Sequence, residues 1–141
     1  MIEINKQNYT EHLNKKEGVI YSLHDDLLSV FNIDFFSKTA AITVRKSYPQ
    51  RKDIKIIIQD IISINCTNGC FWGKDYAIYA MDIDSDPEKI CLYLTQPDSL
   101  EKCPEEYYAF DEYIHIWIGL MSGDVINMIC KTIFLEDIPL E

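Results

Sequence analysis

The chain has 141 residues, nearly half of them hydrophobic, and a formal net charge of −10. That length allows one domain, spanning 1–141, with a core that needs no staples, and the composition argues against disorder. No apolar run approaches the roughly 20 residues of a spanning helix, and Met1-Ile-Glu-Ile-Asn-Lys6 lacks the apolar stretch of a signal peptide. A cytoplasmic protein with no membrane contact is the default expectation.

The charge is uneven. Residues 1–74 hold 10 Lys/Arg and 8 Asp/Glu, a net of +2; residues 75–141 hold 3 and 15, a net of −12. An acidic half repels phosphate backbones, so nucleic-acid binding is disfavoured. It suits a basic protein partner, or simply keeps a small protein soluble. The five cysteines, Cys66, Cys70, Cys91, Cys103 and Cys130, are odd in number and fit reduced, partly buried thiols. Cys66 and Cys70 lack the second ligand pair of a zinc site, and His12, His24 and His115 are scattered. No metal or other cofactor is expected.

In chain order, Asn5 to Leu13 reads as a short helix, with Asn5 as cap and Tyr9, His12 and Leu13 on one face. Val19 to Leu23 is apolar and β-rich. Leu27 to Phe35 alternates, with Leu27, Phe31, Ile33 and Phe35 on one side. A turn at Phe36-Ser37-Lys38 leads to Thr39–Lys46, where Ala40, Ile42 and Val44 share the opposite face from Thr39, Thr43 and Arg45. Ser47 to Asp53 is a polar loop. Ile54, Ile56 and Ile58 continue the alternation, Asp60 interrupts it, and Ile61 to Cys66 resumes as an apolar run. Asn68-Gly69 is a turn. Tyr76 to Ile83 and Ile90 to Thr95 read as strands joined by a turn at Asp84-Ser85-Asp86-Pro87. Pro97 to Glu112 is loop-like and acidic.

Tyr113 to Met121 and Val125 to Leu135 form the clearest hairpin. A three-residue loop, Ser122 to Asp124, sets even positions opposite even positions, Leu120 with Ile126 and Ile118 with Met128. One face then holds Ile114, Ile116, Ile118, Leu120, Ile126, Met128, Cys130 and Phe134. The other holds His115, Trp117, Gly119, Asn127 and Lys131, and is either solvent-facing or half covered. These signals predict a mainly β domain: an antiparallel meander of about seven strands forming a sandwich or open barrel, with one short N-terminal helix over an edge.

Few motifs carry chemistry. Asp82-x-Asp84-x-Asp86 opens like an EF-hand, but the sixth and twelfth loop positions are Pro87 and Tyr93 where Gly and Glu are required; an acidic turn is the better reading. His24 beside Asp25 and Asp26 has the elements of a general base, yet neighbours on a strand point apart and no nucleophile elbow accompanies them. Backbone hydrogen bonding at a strand start is the simpler role. Arg45-Lys46, Arg51-Lys52 and Lys55 bracket one loop. They are placed to touch a phosphate or an acidic partner, or to form a solvated hairpin end, and the last is favoured. Glu105-Glu106-Tyr107-Tyr108-Ala109-Phe110-Asp111-Glu112-Tyr113 interleaves acids with aromatics, the composition of a protein interface or of a loop packed on the sheet.

The run Leu23-His24-Asp25-x-x-Leu28, the strand ending at Asp34, Thr39-x-x-Ile42, Ile56-Ile57-Ile58-Gln59-Asp60-Ile61 and the hairpin with Ser122-Gly123 together resemble a class of small bacterial β proteins. Some members of that class resemble immunity proteins of polymorphic toxin systems. The resemblance runs from about residue 20 to the end, and Asp82 to Pro104 has no counterpart in it. It implies a non-enzymatic cytoplasmic binder that masks a toxin, and it carries no catalytic residues. On this reading Glu105, Glu106, Tyr107, Tyr108, Asp111 and Glu112 meet a basic partner. The alternative is a small enzyme or ligand-binding β domain with a site near His24, Asp25 and His115. A homo-oligomer built through an edge strand is a third possibility.

Overall fold

A computed structural model describes residues 1–13, 26–47, 51–67, 77–85, 90 and 112–139. Among them are nine strands, β1 (Ile2–Ile4), β2 (Leu27–Asp34), β3 (Thr39–Lys46), β4 (Lys52–Gln59), β5 (Ser63–Thr67), β6 (Ile78–Asp84), β7 (Ile114–Leu120), β8 (Val125–Cys130) and β9 (Thr132–Pro139), and one short helix, α1 (Tyr9–Leu13). The mainly β expectation holds. A five-stranded sheet ordered β1-β9-β4-β3-β2 faces a four-stranded sheet ordered β5-β8-β7-β6, and every pairing is antiparallel.

The core lies between the sheets because period-2 alternation gives each strand one apolar face. Ala40, Ile42 and Val44 of β3, Ile54, Ile56 and Ile58 of β4, and Ile133 and Leu135 of β9 are buried on one side. Ile114, Ile116, Ile118, Ile126 and Met128 answer from the other. The repeated β-branched isoleucines are stiff at χ1 and suit a pleated, buried surface.

Two chain crossings join the sheets at one corner. β4 passes to β5 through Asp60, which adopts a left-handed φ of 55°, and β8 passes to β9 through Lys131. Lys131 N donates to Gln59 O, Ile62 N to Ile129 O, and Ile61 N to Lys38 O. The long strand expected over Val125 to Leu135 is therefore two strands. The bend also exchanges parity: Cys130 is buried, but Ile133 and Leu135 follow it into the core, and Phe134 turns outward rather than inward as its even position suggested. At another corner Leu27 bridges Ala77 and Ile78 N donates to Asp26 O, tying the start of β2 to that of β6. The almost buried Lys46–Asp26 ion pair, 2.8 Å, locks this joint.

The N-terminus begins with β1, which the sequence reading lacked. Asn5 caps the turn that follows: its Oδ1 accepts from Gln7 N and Asn8 N, while Asn8 Oδ1 accepts from Asn5 N. The helix is correspondingly shorter than Asn5 to Leu13; it lies beside β6, and Tyr9 packs on the core.

The hairpin confirms the faces and the loop length but corrects the register. Ile118 pairs with Ile126, Ile116 with Met128 and Trp117 with Asn127, two residues away from the expected alignment. The loop is Met121-Ser122-Gly123: Gly123 N donates to Leu120 O, Leu120 N donates to Asp124 O, and Gly123 has φ 94°. The three-residue loop is closed by a glycine in positive φ, which the one-residue shift of the loop places where such loops need it. A β-bulge between Leu28 and Val30 likewise turns Leu27 outward and lets Leu28 pack on the core. The strand expected over Ile90 to Thr95 lies outside the described residues except for Ile90, which is buried with helical backbone.

Candidate functional site

Of the acidic, tyrosine-rich segment, Glu105, Glu106, Tyr107, Tyr108 and Asp111 lie outside the described residues. Glu112 is exposed, and its carboxylate stands 3.4 Å from Lys131 Nζ. Lys131 also lies over the Tyr113 ring, 5.3 Å from its centroid. One lysine from the β8–β9 bend thus fixes the point where the segment joins β7.

His24 and Asp25 also lie outside the described residues, so nothing there bears on their meeting His115. His115 itself is 3% exposed. It sits on the outer face of the four-stranded sheet, beside Asp84 of β6 and diagonally across from Asn127 of β8. Its Nδ1 is 3.1 Å from Asp84 Oδ2 and its Nε2 is 2.9 Å from Asn127 Oδ1. A general base must present a ring nitrogen to substrate; here both nitrogens are held by the protein. The arrangement ties three strands together. The outer face of this sheet is covered around His115, since Asn127 and Ile129 are buried with it.

The Asp82-Asp84 pair belongs to β6, not to a calcium loop. Residues two apart on a strand share a face, and Asp84 is committed to His115 while Asp82 is exposed opposite Trp117. Among the described residues no group of three His, Cys, Asp or Glu side chains could hold a metal.

Most of the basic run is neutralised in place. Arg45 pairs two-pronged with Asp53 (Nε–Oδ1 2.7 Å, Nη2–Oδ2 3.1 Å), Lys46 pairs with Asp26, and Lys52 with Asp137 at 2.7 Å. The hydrogen bond from Arg45 holds the Asp53 carboxyl below the usual carboxylate range, and Asp53 in turn raises the Arg45 guanidinium. Lys52 and Asp53 also begin β4 rather than ending the expected loop. Of the cysteines described, Cys66 is exposed and Cys130 is buried. Burial pushes both thiols up, helped at Cys66 by the Asp124 charge.

The feature that stands out was not singled out from the sequence. Phe35 and Phe36, at the β2–β3 turn, are 83% and 99% exposed. Phe35 was expected on the core side, but β2 ends at Asp34 and the turn carries both rings into solvent. The turn is firmly built. Asp34 Oδ1 accepts from Phe36 N at 2.9 Å and Ser37 N at 3.2 Å, Ser37 and Thr39 hydroxyls lie 2.7 Å apart, and Lys38 takes a left-handed φ of 59°. The Ser37 backbone and side-chain bonds, then the Phe36 backbone bond, hold the Asp34 carboxyl below its ordinary range. Beside the tip runs an open groove of about 400 Å³ whose lining includes Ile33, Phe35, Thr39, Ile61, Ile62 and Ile64. A signal was present in the sequence: two adjacent phenylalanines cannot both face one core from a strand.

Comparison with protein-family models, with curated proteins and with solved structures finds no match.

Proposed function

We propose that the protein is a non-enzymatic protein-binding module, and specifically an immunity-type cytoplasmic protein that covers a basic toxin partner. The observation that carries this reading is the Phe35–Phe36 tip. Two large aromatic rings held in water by a hydrogen-bonded turn gain nothing for the fold. Exposed apolar groups grouped beside an apolar groove mark a contact surface, and rigid aromatics lose little entropy on binding. The net charge of −12 over residues 75–141 supports a basic partner by electrostatic steering. The enzyme alternative draws less support, because neither His115 nitrogen faces open space.

No described helix is long and apolar enough to cross a membrane. The reading involves no cofactor and no nucleic acid.

The test is titration calorimetry against a toxin-like product of the neighbouring gene. Replacing Phe35 and Phe36 by serine is expected to weaken binding at least a hundredfold without lowering the unfolding midpoint. Charge reversal at Glu105, Glu106, Asp111 and Glu112 is expected to slow association and remove its salt dependence. Wild-type affinity in the serine variant would overturn the tip, and unchanged kinetics in the reversal variant would overturn the acidic surface.

A further inference from the structure

The outer face of the five-stranded sheet sets several apolar side chains among the polar ones that a half-solvated antiparallel sheet presents. By register, Ile57 stands between Phe134 and Ala41, Val30 opposes Thr43, and Leu27 and Ile138 flank the Arg45–Asp53 pair. Leu27, Val30 and Ile138 are 46%, 41% and 39% exposed, and Ile57 and Phe134 are half-buried. The charges on this face are Glu3, Asp34, Lys55, Glu136, Arg45 and Asp53, a net of −2 in a chain of −10.

We propose that this face is where two copies of the chain pack back to back. Two bodies of −10 repel each other, and the approach costs least where each surface is nearly neutral. The face is also complementary to itself. Lys55 of β4 lies directly opposite Glu136 of β9, and in the next row of the same face Ile57 lies opposite Phe134. A two-fold axis in the plane of the interface, running along the strands between β4 and β9, exchanges those two columns. Each Lys55 then meets the second copy's Glu136, and each Ile57 meets the second copy's Phe134. Such an interface is isologous, as a closed dimer requires.

The dimensions suffice for a reversible association. Four overlapping strands spaced about 4.8 Å, each of eight residues rising about 3.3 Å, cover about 19 by 26 Å. Counting both copies this is roughly 1,000 Å², the lower limit for a specific interface. Aligned sheet packing, with strands about 30° apart, accommodates the twist of both sheets. The surface is separate from the Phe35–Phe36 tip, so a dimer leaves the proposed binding site open.

Sedimentation velocity on the full chain over about two decades of concentration, from roughly 1 to roughly 200 µM, tests this. A monomer–dimer equilibrium with a micromolar constant is expected. Lys55→Glu should weaken it roughly tenfold or more by setting like charges together, and adding Glu136→Lys should restore it. Ile57→Lys should abolish it. Because Ile57 is half-buried, circular dichroism must show each variant folded, and the surface charge swap keeps the test independent of that folding risk. A monomer at every concentration would overturn the proposal. So would a dimer indifferent to Lys55→Glu, which would place the contact elsewhere, such as an edge strand.

Discussion

Gly119 offers a substitution whose sign depends on one contact. It lies one residue from the end of β7, buried, with Val125 and Ala80 on either side. In an open strand, alanine in place of glycine stabilises by about 0.5–1 kcal/mol, because glycine loses more backbone freedom on folding. Here the added Cβ would collide with the edge of the Trp117 ring, overlapping Cη2 and standing 3.0 Å from both Cζ2 and Cζ3. An indole has no flexible end to give way, so the ring must rotate off its rotamer or β7 must shift. Overpacking of this kind costs about 1–3 kcal/mol. Subtracting the entropic gain leaves Gly119→Ala destabilising by up to about 2.5 kcal/mol. The same change made in a Trp117→Val background has no ring to meet and should stabilise. Urea unfolding followed by circular dichroism, rather than by the fluorescence of the residue being replaced, gives the four corners of the cycle. An increase in the midpoint for Gly119→Ala alone would refute the reasoning. So would additivity of the two changes to within about 0.5 kcal/mol, since touching residues should couple.

His115→Phe removes both bonds of the ring and leaves the buried Asn127 amide without its partner, so a loss of about 2–4 kcal/mol is expected; pairing it with Asn127→Leu should recover part of that loss in the same unfolding assay, and a loss below about 1 kcal/mol would contradict the strand-tying role. Thiol labelling mapped by mass spectrometry should modify Cys66 in the native protein and Cys130 only after unfolding, and the Cys66 rate should rise with pH through and above the ordinary thiol range, faster in Asp124→Asn. Asp53 has a folded value below its unfolded one, so its contribution is present above the ordinary carboxylate range and disappears as pH falls through the lower folded value. Arg45→Met should flatten that acid limb of the stability profile, modestly and less in high salt because Arg45 is 41% exposed.

What the sequence shows and hides follows from parity. The faces of β3, β4, β7 and β8 were legible because alternate residues differ sharply in polarity, as in Ala40, Ile42 and Val44 against Thr39, Thr43 and Arg45. Registers were not. Sliding β7 by two residues against β8 keeps even residues opposite even residues, so Ile118 meets an apolar partner in Ile126 or in Met128 alike. The demand for positive φ at the last loop position does separate the two, and Gly123 meets it in one of them. Bulges and bends were invisible for a related reason. The Leu28/Val30 bulge and the Lys131 bend each exchange the buried parity within an apolar run, so Leu27, Leu28, Ile133 and Phe134 give no sign from composition of which faces inward. β1 is three residues long, too short to show a period. The Phe35–Phe36 tip was concealed because Phe35 continues the alternation of Phe31 and Ile33, although the cap formed by Asp34 ends the strand before it.

The buried polar groups show where the fold has used its chemistry. Among the described residues Lys46, His115, Asp124 and Asn127 are buried polar or charged side chains, and no buried side-chain nitrogen or oxygen lacks a partner. Each stands at a joint. Lys46 meets Asp26 where β2 and β6 close on one another, His115 links Asp84 to Asn127 across β6, β7 and β8, and Asp124 accepts from Ser122 Oγ in the hairpin loop. A satisfied buried network fixes one arrangement against its neighbours in register, which the apolar faces alone do not do here, since a two-residue slip leaves them matched. These groups therefore supply the register that the isoleucine pattern leaves open. Their replacement should alter stability and strand alignment while leaving surface recognition intact. Replacement at Phe35 and Phe36 should do the reverse, and that opposition would separate the scaffold from the proposed binding surface.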